Sequence, residues 1–260
     1  GYGMYTHAES TDGTYAQNHF PNDPDGNVYR SSDGNHVSDL RYLGTNLYSY
    51  ANSGYFKNNN SGENDWSDLI NLARVISTTP DVDYAATVRQ HVNVDQWMHY
   101  FAVFSLLLSR ETSLATGVGD DYGLYRGEVD PRFTILAHDY DTILNQGDTT
   151  GGSTDSIFRM VPAVMGATNY NLGATNLNRF MLHPEFVPIY YAHLKELSDT
   201  VFAPAQLSLT LDRALQSFVP QNVIELMKAF GSNRVNYVLS QIPLTLTAGT
   251  SLTQNGGYYK

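Results

Sequence analysis

The chain has 260 residues, of which 42% are hydrophobic and 12% aromatic, which is enough to bury one sizeable core. Its formal net charge of −11, from 26 acidic and 15 basic residues, disfavours nucleic acid as a partner, because that binding requires neutralisation of phosphates. The chain has no cysteine, which excludes disulfides and thiolate sites, and no apolar run approaches the roughly 20 residues that a membrane span needs.

The first half of the chain predicts a loop-rich region followed by three helices. Residues 2–9 alternate as a strand does, and the Asp, Gly, Asn and Pro residues of 11–36 predict turns around a short strand at 27–30. From residue 65 onward, apolar residues recur at intervals of three and four, which predicts helices over 66–76, 83–92 and 94–110.

Two strand-like segments, 123–127 and 132–141, follow a group of glycines and are separated by the turn signal EVDP, so they predict a hairpin. We expect this hairpin to form the floor of a cleft that the helix 94–110 walls. A stretch rich in Gly, Thr and Asn, 145–176, predicts a long loop with one buried apolar anchor.

The last third of the chain predicts helices again. Pro184 and Glu185 suit a first helical turn. The periodic segments are 177–182, 183–202, 208–218 and 221–242.

Asp139 and Asp141 lie two residues apart in the string HDYD, at the end of the second hairpin strand, so we expect their side chains on one face. Neighbouring carboxylates repel each other unless a cation or a proton lies between them. Oxygen ligands without cysteine suit Mg²⁺ or Ca²⁺. The alternative interpretation is a solvated turn with His138 as a neighbour.

The order of several local strings resembles the CotH protein kinase family, a branch of atypical kinases found in spore coats and in secreted bacterial proteins. The resemblance covers almost the whole chain and rests on GYGMYTHAES, NVYR, YFKNNN, DWSDLINL, VDQWMHYFAVFSLLLSRET, GDDYGLYRG, RFTILAHDYD and MLHPEFVPIYYAHLKEL. It implies an α+β, atypical protein-kinase-like fold with a mostly helical C-lobe and a truncated small β lobe. The whole chain, 1–260, would be one domain, with 1–60 as the remnant of the small lobe and 61–260 as the helical lobe.

The resemblance also implies roles for individual residues. Glu111 stands where the kinases place the aspartate that deprotonates the acceptor hydroxyl, although the chain has Ser109, Arg110 and Glu111 in place of Asn-x-Asp. The resemblance assigns metal binding to Asp139, Asp141 and Asp121, catalysis to Glu111 and Asp139, and cofactor binding to Lys57 and Glu9. A surface lysine at 57, a helix-end carboxylate at 111 and an Asx turn at 120–121 remain the simpler interpretations.

We therefore expect metal-dependent transfer of the γ-phosphate of ATP to a Ser/Thr hydroxyl of a protein, or to the hydroxyl of a small molecule. One alternative is a secreted Ca²⁺-binding structural or binding module without catalysis. Another is a hydrolase of an ester or polymer that uses Ser109, His138 and the nearby aspartates, although no Gly-x-Ser-x-Gly motif is present. The polar composition and the abrupt start at Gly1 favour part of a larger bacterial protein that is secreted or at the cell surface.

Overall fold

A computed structural model describes residues 9–31, 38–109, 122–147, 151–158 and 174–245, together with two short strands near the C-terminus. The helices are α1 (Gly13–His19), α2 (Leu47–Ala51), α3 (Ser67–Thr78), α4 (Asp81–His91), α5 (Val94–Leu107), α6 (Ala174–Met181), α7 (Val187–Asp199), α8 (Pro204–Leu215) and α9 (Gln221–Gln241). The strands are β1 (Asn27–Ser31), β2 (Tyr55–Lys57), β3 (Tyr122–Arg126), β4 (Thr134–Ala137), β5 (Gln254–Asn255) and β6 (Tyr258–Tyr259).

Four of these strands form one antiparallel sheet in the order β2-β1-β3-β4. Because side chains alternate along a strand, the sheet has two different faces. One face, which includes Tyr29 and Leu124, belongs to the main core shared with the helices. The other face, which includes Val28 and Leu136, packs against Ala16 of α1 in a small separate cluster.

Helix α5 lies at the centre of the main core. Trp97, Met98 and Ala102 are completely buried, and α5 packs along α7, where Leu194 is also completely buried. A helix that is apolar on most of its surface can be stable only when other elements surround it. The helix begins after Asn93, whose side chain accepts a hydrogen bond from the Gln96 N–H (3.3 Å).

The hairpin β3–β4 is joined to α5 by side-chain hydrogen bonds. Gln96 Nε2 donates to the Ile135 carbonyl (2.9 Å), and the Ile135 N–H donates to Gln96 Oε1 (3.0 Å). Trp97 Nε1 donates to the Phe133 carbonyl (2.9 Å). Since β4 is at the edge of the sheet, the Gln96 amide takes the position that a fifth strand would occupy.

A buried arginine near the C-terminus holds the far end of α5. Arg234 of α9 is completely buried, and its guanidinium donates to the carbonyl of Ser105 (2.9 Å) and to the Ser105 hydroxyl (3.0 Å). It also donates to the carbonyls of Ser153 (3.1 Å) and Asp155. One side chain therefore fixes α9, α5 and the loop around residue 155 together.

The structure confirms most of the predicted elements. The strand at 27–30, the hairpin, the contact of that hairpin with α5, and the helices of both the middle and the last third are present. The loop anchor is confirmed at Ile157, which is buried and whose carbonyl accepts from the Tyr190 hydroxyl (2.5 Å). The predicted strand 2–9 lies outside the described residues apart from Glu9.

Several boundaries differ from the prediction for local reasons. The second hairpin strand ends at Ala137 and α5 ends at Leu107, because Asp139 and Leu108 both adopt a left-handed backbone with φ of 52°. Pro184 and Glu185 lie in the turn before α7, which begins at Val187. The region predicted as turns contains α1, which begins after Asp12.

The carboxylate of Asp12 caps α1. It accepts from the N–H groups of Thr14 (2.8 Å) and Tyr15 (3.3 Å). These bonds satisfy two of the amides that a helix N-terminus leaves without partners.

Replacement of Gln96 by Ala should lower the free energy of unfolding by about 2 kcal/mol, because both backbone groups of Ile135 lose their partner in a poorly solvated place. Urea denaturation measures this change. Gln206→Ala on the exposed surface of α8 is the matched control, for which we expect a change within about 0.5 kcal/mol. Equal changes in the free energy of unfolding of the two variants would show that the Gln96 bonds to Ile135 do not stabilise the fold.

His183 makes stability depend on pH. Burial lowers the pKa of His183, which is 4% exposed and whose Nδ1 accepts from the Glu185 N–H (3.2 Å). Below about pH 6.5 the unfolded chain binds a proton that the folded chain does not, so stability should fall as the pH drops from 7.5 to 5.5. Denaturation at both pH values should show a smaller loss for His183→Asn than for the wild type, whereas His99→Asn, on an exposed residue, should retain the full loss.

Candidate functional site

The candidate site lies at the end of the sheet where β1 ends, β3 begins and β4 ends. The register places Ser31 opposite Tyr122, and Tyr122 opposite Ala137. Asp139 and Asp141 lie two and four residues after the end of β4, and the backbone turns at Asp139 through its left-handed conformation. Asp and Asn adopt this conformation more readily than other residues with a Cβ.

Both carboxylates of the string HDYD are exposed, while Tyr140 between them is anchored on α5. The Tyr140 ring lies 6.0 Å from the ring of Phe104, and burial raises the pKa of Tyr140 to about 12. Asp141 Oδ1 accepts from the Thr142 hydroxyl (3.3 Å). The two aspartates are thus exposed on either side of a fixed tyrosine in a turn, whereas the sequence predicts them on one face of a continuing strand.

A network of buried polar groups supports this end of the sheet. The Tyr122 hydroxyl donates to the Ser38 carbonyl (2.6 Å) and lies 3.1 Å from the hydroxyl of Tyr55, which accepts from the Leu40 N–H (2.9 Å). Burial raises the pKa of both tyrosines above its ordinary value, so they remain neutral donors. A rigid polar layer of this kind restricts movement of β3 and of the segment from residue 38 to residue 40.

Glu9 and Lys57 are not brought together in the structure. Glu9 accepts from Asn18 Nδ2 (2.9 Å) and pairs with His19 Nε2 (2.7 Å), and these bonds lower the pKa of Glu9, the bond to His19 most of all. They attach Glu9 to α1, which covers one face of the sheet.

Lys57 belongs to the opposite face. Its Nζ donates to the Asp65 carbonyl (2.6 Å) and lies 5.9 Å from the centre of the Tyr29 ring. The two residues predicted to bind the cofactor therefore lie on opposite faces of the sheet, and each is bonded to a different local partner.

The remaining predicted residues, Glu111 and Asp121, lie outside the described residues, as does Asp120. Within the part of the chain that the structure describes, no group of three or more His, Asp or Glu side chains could hold a metal ion. Asp139 and Asp141 are therefore the described members of the predicted metal site, and two carboxylates supply only part of the six or more oxygen ligands that Mg²⁺ or Ca²⁺ takes.

Sequence reasoning missed Arg30. Its Nε is buried and has no hydrogen-bond partner among the described residues, although Arg30 lies in β1 opposite Gly123, which in turn faces Leu136 of β4. A buried N–H donor without a partner is costly, and an anion would supply the acceptor that Arg30 Nε lacks. The signal in the sequence was a single arginine within the strand NVYRS, and alternation alone would place such a residue on a solvated face.

Ser109 does not form the start of a hydrolytic triad in the described part of the chain. Its side chain is 2% exposed, and its Oγ has no hydrogen-bond partner among the residues that the structure describes. The serine–histidine bond that would activate a nucleophile is therefore absent there. The described residues therefore add no support to the hydrolase alternative.

A small antiparallel sheet at the end of a larger helical body defines an α+β, protein-kinase-like fold with a helical lobe. Residues 1–223 match the family model described as CotH kinase protein, so the chain belongs to the CotH kinase family. Members of a kinase family in general use ATP, a divalent metal ion and a hydroxyl acceptor. No match was found among curated proteins. None of the described helices has the length and apolar character to cross a membrane.

The left-handed backbone at residue 139 predicts which substitutions are suitable there. Asp139→Asn should leave the free energy of unfolding nearly unchanged, whereas Asp139→Val should lower it by roughly 1–2 kcal/mol, because a β-branched side chain collides with its own backbone in this conformation. Thermal unfolding of the two variants measures the difference. Asp141→Val is the matched control, since Asp141 is exposed without a left-handed backbone, and an equal loss there would contradict the argument.

Proposed function

We propose that the chain is a metal-dependent kinase domain that transfers the γ-phosphate of ATP to a hydroxyl acceptor. The observation that carries this proposal is the coincidence, at one end of the sheet, of two exposed carboxylates with a half-buried guanidinium whose Nε has no hydrogen-bond partner among the described residues. The carboxylates are those of Asp139 and Asp141, and the guanidinium is that of Arg30. Family membership supports the same reaction class.

The donor groups at this site suit both parts of a metal–nucleotide complex. The carboxylate oxygens of Asp139 and Asp141 match the ligands that Mg²⁺ or Ca²⁺ takes, and Mg²⁺ commonly uses only one or two carboxylates together with phosphate oxygens. When bound, such an ion would neutralise charge on the β- and γ-phosphates. Arg30 Nε, which has no other partner among the described residues, fits an anionic phosphate oxygen.

The remaining steps fall to residues that the family resemblance assigns. Glu111 would accept the proton of the acceptor hydroxyl, and Asp121 would add a third carboxylate near the metal ion. Tyr122, the residue after Asp121, pairs with Ala137, two residues before Asp139. We assign Glu9 and Lys57 no direct contact with the nucleotide, because each is held by the local bonds described above.

The acceptor in this proposal is a Ser/Thr hydroxyl of a protein or the hydroxyl of a small molecule. The polar composition supports a further part of the proposal, that the domain works outside the cell or at its surface as part of a larger protein. A Ca²⁺-binding module without catalysis is the second candidate, because two carboxylates on an exposed turn suit Ca²⁺ as well as Mg²⁺.

The experiment is transfer of label from γ-labelled ATP to a Ser-rich acidic acceptor protein in the presence of Mg²⁺. Asp139→Asn and Asp141→Asn should each lower the rate about a hundredfold or more, because each removes an anionic ligand of the metal ion that would neutralise charge on the transferring phosphate. Arg30→Gln should raise the KM for ATP about tenfold or more. EDTA should abolish transfer by the wild type.

Two variants control for nonspecific effects of lost charge. Asp25→Asn removes an exposed carboxylate before the start of β1, and Arg213→Gln removes an exposed guanidinium on α8, so neither should change the rate. Full activity of Asp139→Asn, or transfer that persists in EDTA, would refute the proposal. A rise in the melting temperature with Ca²⁺, with no labelled product under any condition, would instead establish the Ca²⁺-binding module.

A further inference from the structure

A polar cavity of about 550 Å³ opens at the other end of the sheet, between the strands and the first turn of α3. Asn27 at the start of β1 and Arg126 at the end of β3 face each other in the register and both line it. Arg126 is four residues along β3 from Tyr122, a separation of about 13 Å. The cavity is therefore distinct from the candidate site at Asp139.

Part of the cavity wall is fixed by internal hydrogen bonds. Asp68 Oδ2 accepts from Asn27 Nδ2 (2.8 Å), and Asp68 Oδ1 accepts from the Tyr29 hydroxyl (2.5 Å). Asn27 Oδ1 in turn accepts from Asn60 Nδ2 (3.2 Å). These groups are held before any ligand arrives, which lowers the entropic cost of binding.

Other groups in the wall retain hydrogen-bonding capacity. The guanidinium of Arg126 makes no hydrogen bond or ion pair with any residue that the structure describes. Asn71 uses its Oδ1 to accept from Arg74 (2.6 Å), which leaves its amide N–H₂ group as a donor. His91 Nδ1 donates to the Thr87 carbonyl (3.0 Å), so its Nε2 is an acceptor.

The charges around the cavity exclude strongly charged ligands. Two carboxylates, those of Asp65 and Asp68, stand against the single guanidinium of Arg126, in a chain of net charge −11. An anion would be repelled by the carboxylates, and a bare cation would meet the guanidinium. Phe133, the aromatic ring that lines the cavity, is only 2% exposed, so the wall offers little area to an apolar ligand.

The position of the cavity also argues against an extended peptide. Peptides that bind to sheets add a strand at a free edge. The strands that line this cavity, β1 and β3, are the two interior strands of the sheet. A compact ligand that both donates and accepts hydrogen bonds matches the wall better, and hydroxyl groups do both from a single atom.

We propose that this cavity binds a neutral, polyhydroxylated ligand, a short oligosaccharide, through Arg126, Asn71 and His91. Its volume falls within the range of about 300–1,000 Å³ that small-molecule sites occupy. The inference goes beyond the proposed phosphate transfer and does not depend on it.

Saturation-transfer NMR and calorimetry test the proposal with a panel of neutral di- and trisaccharides built from glucose, mannose and N-acetylglucosamine. At least one sugar should bind the wild-type chain in a saturable manner. Arg126→Ala and Asn71→Ala should each weaken that binding, by about tenfold or more for Arg126, because a charge-assisted hydrogen bond is lost. Arg132→Ala, which removes a 44% exposed guanidinium outside the cavity, is the matched control and should bind as the wild type does.

Thermal unfolding confirms that each variant is folded before binding is compared, and Asn71→Ala provides an independent reading if Arg126→Ala fails to fold. Three results would overturn the proposal. They are no saturable binding by any sugar of the panel, binding that neither cavity variant weakens, and preferential binding of a phosphorylated or acidic peptide that depends on Arg126. Phosphate transfer by these variants should stay at the wild-type rate, so the two proposals can fail separately.

Discussion

The arrangement of this protein depends on the bonds between the side chain of Gln96 and the backbone of Ile135. An edge strand has free N–H and C=O groups, and here an amide from a buried helix satisfies them. The bonds set the position of β4 along α5, and through it the place where Asp139 emerges. Trp97 adds a third bond, to the carbonyl of Phe133, the residue directly before β4 (2.9 Å). The position of the candidate site is therefore determined by the hydrogen bonds between α5 and the segment 133–135.

Each of the two elements that these bonds join is followed by a left-handed residue. Leu108 comes directly after α5, and Asp139 lies two residues after the end of β4, each with φ of 52°. For leucine this conformation is uncommon, and packing holds it in place, since Leu108 is only 3% exposed. Such positions are found disproportionately at functional sites, where the fold imposes a backbone that the residue would not choose.

The sequence predicted the large elements well because their burial is periodic: α3, α5 and α9 each repeat apolar residues at helical spacing. It missed α1, because this helix buries only Ala16 and so has no apolar repeat. The Asp12 cap stabilises the helix instead. The site was predicted only in part. Asp139 and Asp141 stood out by spacing, whereas Arg30 became visible only once its strand neighbours were known. Long-range partners of that kind leave no trace in a local pattern.

The bonds made by Arg234 show that α9 is part of the folded core. The family match ends at residue 223, but α9 continues to Gln241 and buries Val235 and Val238 in the main core. A protein trimmed at the family boundary would lose these side chains and the donor that the Ser105 carbonyl requires. The C-terminal end of α5 would then have an unsatisfied carbonyl inside an opened core. The last helix therefore packs as part of the same core, although the family match includes only its first three residues.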